Sequence, residues 1–272
     1  MKEWQELLSR VLRDGEPRAD RTGVGTKALF GVQFEVDNTL ASFPAVTTKK
    51  LATGPCFAEM ACFIQGYTNL KQFHEMGCHI WDANAAADYW QPQEQGDLGR
   101  IYGCQWRHWR SYGNHTTDQL RELVLGIRQS PTSRRHLVTA WNPGELHQMC
   151  LPPCHTMFQV YVSNDRHLDL LVTMRSVDLF LGLPFDVAGY ALLQHLIALH
   201  CDLLPRKLKF SLGDAHIYNN HVEQVKLVCS RIPYAAPILS LARGTDLFSF
   251  RPEQAELLRY AHHGVVKAEM AV

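Results

Sequence analysis

The chain has 272 residues, 46% of them hydrophobic and 20% charged, with 27 basic side chains against 27 acidic ones. That length suits one large domain or two small ones, and that composition excludes extended disorder. Balanced charge excludes bulk attraction to a nucleic-acid duplex or an anionic membrane, so a small anion has to be met by local arginines.

The N-terminal run MKEWQELLSRVL carries charges through what would be the apolar centre of a secretory signal. Trp4, Leu7, Leu8, Val11 and Leu12 recur at helical spacing instead, and Gly15 is a stop. Next, Asp20, Thr22, Gly23 and Gly25 make a turn-rich loop that leads into an alternating strand. Arg21 stands at its mouth, either as an ordinary solvated arginine or as a phosphate clamp aided by accessible backbone N–H groups. FPAVTTKKL reads as a short strand ending in a polar turn. Residues 57–65 read as a buried helix carrying a single acid, Glu59. A buried, unpaired glutamate costs several kcal/mol. Glu59 therefore lies on the outer edge of the helix or handles a proton or water with a raised pKa.

Residues 78–113 are aromatic and broken by Gly96, Gly99 and Gly103, which predicts a long functional loop. Trp81 and Tyr102 there are core aromatics or a stacking platform for a flat ligand. Residues 118–129 predict an amphipathic helix capped by Thr117 or Asp118. SRRHLVTAWNP predicts a strand entered through Arg134 and Arg135. Adjacent residues point to opposite faces of a strand, so one pocket does not easily receive both.

The stretch 151–190, LPPCHTMFQVYVSNDRHLDLLVTMRSVDLFLGLPFDVAGY, carries the most chemistry. Cys154 stands between Pro153 and His155. Arg175 and Ser176 follow, then Asp178 and Asp186 in apolar surroundings. A thiol, a fixed cation and a carboxyl in an apolar setting suit covalent attack on a small anionic heterocycle. The thiol would need a depressed pKa, for which arginines are the candidate cause. A rival reading makes His147, Cys150, Cys154 and His155 zinc ligands. The stiff Pro152–Pro153 spacer and the lack of a second Cys/His pair at finger spacing argue against it, and no metal is expected. Residues 158–162 and 168–173 read as a hairpin around SNDR, and a long buried helix runs from the Gly-Leu-Pro bend. Its apolar part, 187–204, is interrupted by Gln194, His195, His200 and Asp202 and does not read as a membrane span. His216 and Tyr218 alternate on the next strand and share a face. Eight cysteines form no compact framework, so free thiols in the cytoplasm are expected. No repeat, low-complexity run or linker breaks the chain, which favours one α/β domain over 1–272.

Taken in order, DRTGVGT, FPAVTTKK, IWD, GDLGRIYGCQWR, SRRHLVTAWNPGEL, LPPCH, RSVDLFLGLPFDVAGYALL and GDAHIYNNH resemble thymidylate synthase and its pyrimidine hydroxymethylase relatives over nearly the whole length. The resemblance implies an α/β fold with a large mixed β-sheet flanked by helices, in a homodimer whose sheets pack back to back. It implies 5,10-methylenetetrahydrofolate as co-substrate and a pyrimidine nucleoside monophosphate as substrate. It makes Cys154 the nucleophile and Arg21, Arg175 and Ser176 phosphate ligands. Arg134 and Arg135 become a pair sent across the dimer into the partner's site. His216 and Tyr218 match residues that bind the sugar 3′-hydroxyl. Glu59, Tyr102 and Asp178 match the polar network around base and folate. Trp81 and Val272 match parts of the folate pocket and its closing tail.

The chain departs from the synthases of that family at four places: Asp186 replaces Asn, Met174 replaces Gln, Asn84 replaces Trp and Glu269 replaces Pro. Uracil shows a ring N–H donor and a carbonyl acceptor on one edge, which an Asn amide matches; cytosine shows the reverse. A carboxyl sharing one proton with the cytosine ring nitrogen satisfies both sites. The resulting expectation is a deoxycytidylate 5-hydroxymethyltransferase. A CMP 5-hydroxymethylase of a nucleoside-antibiotic pathway, a thymidylate synthase acting on dUMP, and a non-catalytic nucleotide- or RNA-binding protein are the alternatives.

Overall fold

The computed structural model describes residues 1–92, 94–113 and 115–270. In chain order it contains α1 (Lys2–Asp14), β1 (Glu16–Arg18), β2 (Thr26–Asp37), α2 (Thr53–Gln65), α3 (Leu70–Glu75), α4 (Asp82–Ala85) and α5 (Tyr102–Arg107). Then follow β3 (Trp109–Arg110), β4 (Thr116–Thr117), α6 (Gln119–Gln129), β5 (Leu137–Thr139), β6 (His155–Val162) and β7 (His167–Asp178). The chain continues with α7 (Gly182–His200), β8 (Leu204–Tyr218), α8 (Val222–Ser230), β9 (Ile238–Leu241) and β10 (Ala255–Leu258).

Six strands form one sheet in the order β1-β2-β8-β7-β6-β5. β7 and β8 run parallel and the other neighbours antiparallel, so the sheet is mixed. A parallel pair needs a crossover, and α7 supplies it. On β7, Leu168, Leu170, Val172 and Met174 alternate into the core. α7 lies over this face and is buried nearly all round, which explains its lack of a polar stripe. By length and composition it could cross a membrane, yet 78% of its apolar window is buried inside the protein. Its interior polar groups are paired. Gln194 Nε2 donates to the Leu168 carbonyl at 2.7 Å, and Asn38 Nδ2 donates to Gln194 Oε1 at 3.0 Å. The opposite side of the sheet leaves Tyr161 63% exposed.

α1 buries Trp4, Leu7, Leu8 and Val11, and the Gly15 N–H closes it on the Val11 carbonyl. α2 ends at Gly66, where φ is 75°. Gly66 N–H donates to the Phe63 carbonyl and Tyr67 N–H to the Cys62 carbonyl, a Schellman closure that favours glycine. α6 is capped by Asp118, whose side chain accepts from Arg121 N–H.

Three local expectations need correction. FPAVTTKKL forms no strand. Its backbone is held by distant groups: Tyr260 Oη donates to the Val46 carbonyl and accepts from Leu51 N–H, and His263 N–H donates to the Thr47 carbonyl. The strand in SRRHLVTAWNP is only Leu137–Thr139, and Arg134 and Arg135 precede it in irregular backbone. The loop expected over 78–113 contains α4 and α5, and Trp106 at the end of α5 is fully buried.

Close approach of β8 to β7 fixes one glycine. A Cβ at Gly213 would lie 2.6 Å from the Arg175 carbonyl oxygen, which is backbone and cannot swing aside. Gly213→Ala is expected to lower unfolding stability by about 1–3 kcal/mol in chemical denaturation, the usual cost of overpacking.

Candidate active site

β6 begins immediately after Cys154 and β7 ends at Asp178, so sheet pairing sets these ends side by side. Arg175 N–H donates to the Cys154 carbonyl at 2.8 Å. The Arg175 guanidinium donates to the Pro153 carbonyl at 2.8 Å and the Pro152 carbonyl at 2.9 Å, with Nη2 at 3.8 Å from Cys154 Sγ. The two prolines thus present carbonyls that orient the arginine beside the sulfur. Tyr102 Oη accepts from Cys154 N–H at 2.7 Å.

The thiol is not the depressed one expected. Burial pushes its pKa up, and the Arg175 cation only partly offsets this while Asp186 adds to the rise. Desolvation penalises the thiolate more than one partly exposed guanidinium stabilises it.

An aromatic stack leads from the thiol to the acids. Tyr102 packs against Phe63, at 4.9 Å between centroids, and His155, at 4.0 Å, which themselves lie 6.0 Å apart. Its ring is buried, and its hydroxyl meets the Cys154 N–H. Trp81 is 4% exposed, sits edge-on to Phe63, Phe73 and Tyr102, and donates its indole N–H to Glu59 Oε1 at 2.8 Å. Trp81 thereby holds Glu59 through its indole N–H. Burial raises the Glu59 pKa to about 7 against the pull of that hydrogen bond. Glu59 is thus an inward-facing acid with a raised pKa rather than an outer-edge one.

Asp186 lies on the first turns of α7, with its side chain 19% exposed. Burial, then Glu59, then Asp178 push its pKa well above the usual carboxylate range. His155 Nε2 is 3.9 Å from Asp186 Oδ1, and its Nδ1 is 2.7 Å from Tyr190 Oη. Burial lowers the His155 pKa to about 3, so it is neutral and contributes no charge to Asp186.

The parallel register of β7 on β8 sets Ser176 opposite Asp214 and Asp178 opposite His216. His216 Nδ1 is 3.0 Å from Asp214 Oδ1, and its ring lies 5.0 Å from that of Tyr218. The Tyr218 phenol is raised by burial, then by Asp178 and Asp20, with Arg21 opposing, which places the Arg21 loop at this same end of β8. Asp178 Oδ1 accepts from Phe180 N–H at 2.8 Å and Leu181 N–H at 3.3 Å, shaping the turn into α7. His221 is fully buried, its Nδ1 is 4.0 Å from Asp178 Oδ1, and that nitrogen has no hydrogen-bond partner among the described residues.

The sequence-chosen residues therefore divide. Cys154, Tyr102, Glu59, Trp81, Asp186 and Arg175 are joined by direct contacts or shared electrostatics. Ser176, Asp178, His216, Tyr218 and Arg21 gather around the ends of β7 and β8. Arg134 and Arg135 are exposed and form no ion pair among the described residues. Val272 lies outside the described residues. The zinc rival gains nothing from the geometry: among the described residues His147, Cys150, Cys154 and His155 do not converge as a donor group.

Two residues were missed. His155, weighed only as a metal ligand, stands between Tyr102, Tyr190 and Asp186. Lys49, read as part of a polar turn, is buried; its Nζ donates to the Phe180 carbonyl at 2.6 Å and lies 4.1 Å from the Phe180 ring centroid. Burial lowers its pKa to about 8, opposed by Asp178. Nothing in its polar local run TTKK marks it out; the Phe180 carbonyl that holds it lies more than 100 residues away.

A family model described as thymidylate synthase matches residues 2–272.

Proposed function

Since the chain belongs to the thymidylate synthase family, whose chemistry is folate-dependent one-carbon transfer to a pyrimidine nucleotide, we propose that its own reaction is 5-hydroxymethylation of dCMP. Residues 1–272 act as one catalytic domain, in a cytoplasmic homodimer. The observation that carries this reading is a buried carboxyl at residue 186, close to Glu59, Asp178 and the Cys154 thiol, whose surroundings push its pKa upward.

Arg21, Arg175 and Ser176 hold the nucleotide phosphate from one subunit, and Arg134 and Arg135 reach it from the partner subunit. Their exposure in the single chain supports that assignment. The added cations oppose burial at Cys154 and favour its thiolate. His216 and Tyr218 bind the sugar hydroxyl. Asp186 shares its proton with the cytosine ring nitrogen while its other oxygen accepts from the amino group.

Cys154 then adds to carbon 6, and the electron pair of the 5,6 double bond makes carbon 5 nucleophilic. The bound 5,10-methylenetetrahydrofolate supplies the one-carbon unit. Its site fits this chain through Trp81, through Asp178, and through the buried His221 nitrogen that has no hydrogen-bond partner among the described residues, which suits a polar heterocycle. Tyr102 assists removal of the carbon-5 proton as the tetrahydrofolate co-product leaves with the electron pair of the carbon–nitrogen bond, and Glu59 positions and deprotonates the water that adds to the resulting exocyclic carbon. Expulsion of the Cys154 thiolate restores the double bond. Water rather than hydride completes the product, so the sum is redox-neutral.

The test incubates dCMP, CMP and dUMP separately with methylenetetrahydrofolate and weighs the products. Hydroxymethyl-dCMP as main product is expected; methylated dUMP would overturn the reading, and hydroxymethyl-CMP would move it to the ribonucleotide. Glu59 gives a second expectation. A base must be ionised, so kcat/KM should rise with pH through about 7. Glu59→Gln should remove that limb from the pH profile and reduce kcat by about 10²–10⁴.

A further inference from the structure

Outside the candidate active site, three donors converge between α3 and α4. His74 Nε2 lies 2.7 Å from Asp82 Oδ1, and His79 Nδ1 lies 3.3 Å from Asp82 Oδ2. The three ligand atoms all fall within 4.8 Å of one another. We infer that His74, His79 and Asp82 form a binding site for a borderline divalent transition cation of the Zn²⁺ class.

Preorganisation argues for this. Each ligand is directly next to a buried anchor: His74 follows Phe73 at 0% exposure, His79 follows Cys78 at 0%, and Asp82 follows Trp81 at 4%. Gly77, at φ 79°, turns the chain between the two histidines. The backbone is therefore fixed under side chains that remain accessible from solvent. Exposure of the His74 and Asp82 side chains is 40% and 47%, open enough for an ion to enter.

The donor spacing suits the ion. Tetrahedral bonds of about 2.0–2.1 Å put neighbouring donors roughly 3.3 Å apart. The His79 pair already has that separation, and the His74 pair needs to open by less than an ångström. The histidine rings stack at 4.3 Å and 27°. Two imidazoles with one carboxylate favour Zn²⁺, Co²⁺ or Ni²⁺ over Mg²⁺ or Ca²⁺, which demand more oxygen. Water completes the coordination. The bound ion ties α3 to the start of α4, directly beside the Trp81 that holds Glu59.

The experiment titrates the chelator-treated full-length chain with Co²⁺ and follows binding by calorimetry and the visible spectrum. About one Co²⁺ per chain is expected, with nitrogen and oxygen ligand-field bands and no thiolate charge-transfer band. His79→Ala and Asp82→Asn should each weaken binding by about tenfold or more. Both variants should keep the metal-free melting temperature, since the replaced side chains are exposed, and Zn²⁺ should raise the melting temperature of the unaltered protein alone. No saturable uptake, undiminished affinity in the variants, or a thiolate band from the cysteines would overturn the inference.

Discussion

Asp186→Asn should exchange the base preference, losing turnover of dCMP by about 10²–10⁴ while dUMP becomes the better substrate. Hydrogen-bond pattern alone does not produce this effect. A neutral carboxyl, like an amide, offers one donor and one acceptor and can turn to meet either edge. The difference arises as Cys154 adds to carbon 6 and charge builds in the ring. With cytosine, the acid proton moves onto the ring nitrogen, and the carboxylate left behind accepts from both that N–H and the amino group. An amide has no proton to give, so cytosine in the variant has to carry the charge unaided. Uracil already holds its ring proton, and an amide N–H on its carbonyl stabilises the developing oxyanion. Burial, Glu59 and Asp178 all push the Asp186 pKa upward, which favours that acid role. The measurement is kcat/KM for both nucleotides with each protein. Unchanged preference would remove Asp186 from the choice of base.

Cys154→Ala should abolish product formation while nucleotide binding stays within a few-fold. The side chain is small, and its loss leaves Arg175 anchored on the Pro152 and Pro153 carbonyls. Without the sulfur, carbon 5 is never activated, and the remaining groups have nothing to act on. Paired measurements, product by mass spectrometry and dCMP binding by calorimetry, separate this from a general collapse of the site. Full activity in the variant would exclude the covalent route; activity absent from both proteins with equal binding would favour a pure nucleotide binder.

Long-range order explains which parts were readable in advance. α7 announced itself by an apolar run longer than a strand, and β8 by alternation through His216 and Tyr218. The segment FPAVTTKKL misled because its hydrogen-bond partners, Tyr260 and His263, stand more than 200 residues away and leave no local period. Arg134 and Arg135 looked awkward on a strand because they precede it. The Cys154 thiol was misjudged for a related reason: arginines are visible in sequence, whereas the burial that opposes them belongs to the assembled fold. Glu59 went the other way. An acid in an apolar helix carries its own desolvation cost, so its raised pKa could be read before any geometry was known. The packing of Tyr102 against Phe63 and His155 was invisible, since it joins three separate elements.

The most direct measurement is a crystal structure of the protein with dCMP. The account predicts both Asp186 oxygens within about 2.7–3.2 Å of the ring nitrogen and the amino nitrogen, with Cys154 sulfur poised at or bonded to carbon 6. A base whose amino-bearing edge meets other groups, with the Asp186 side chain turned away, would contradict it.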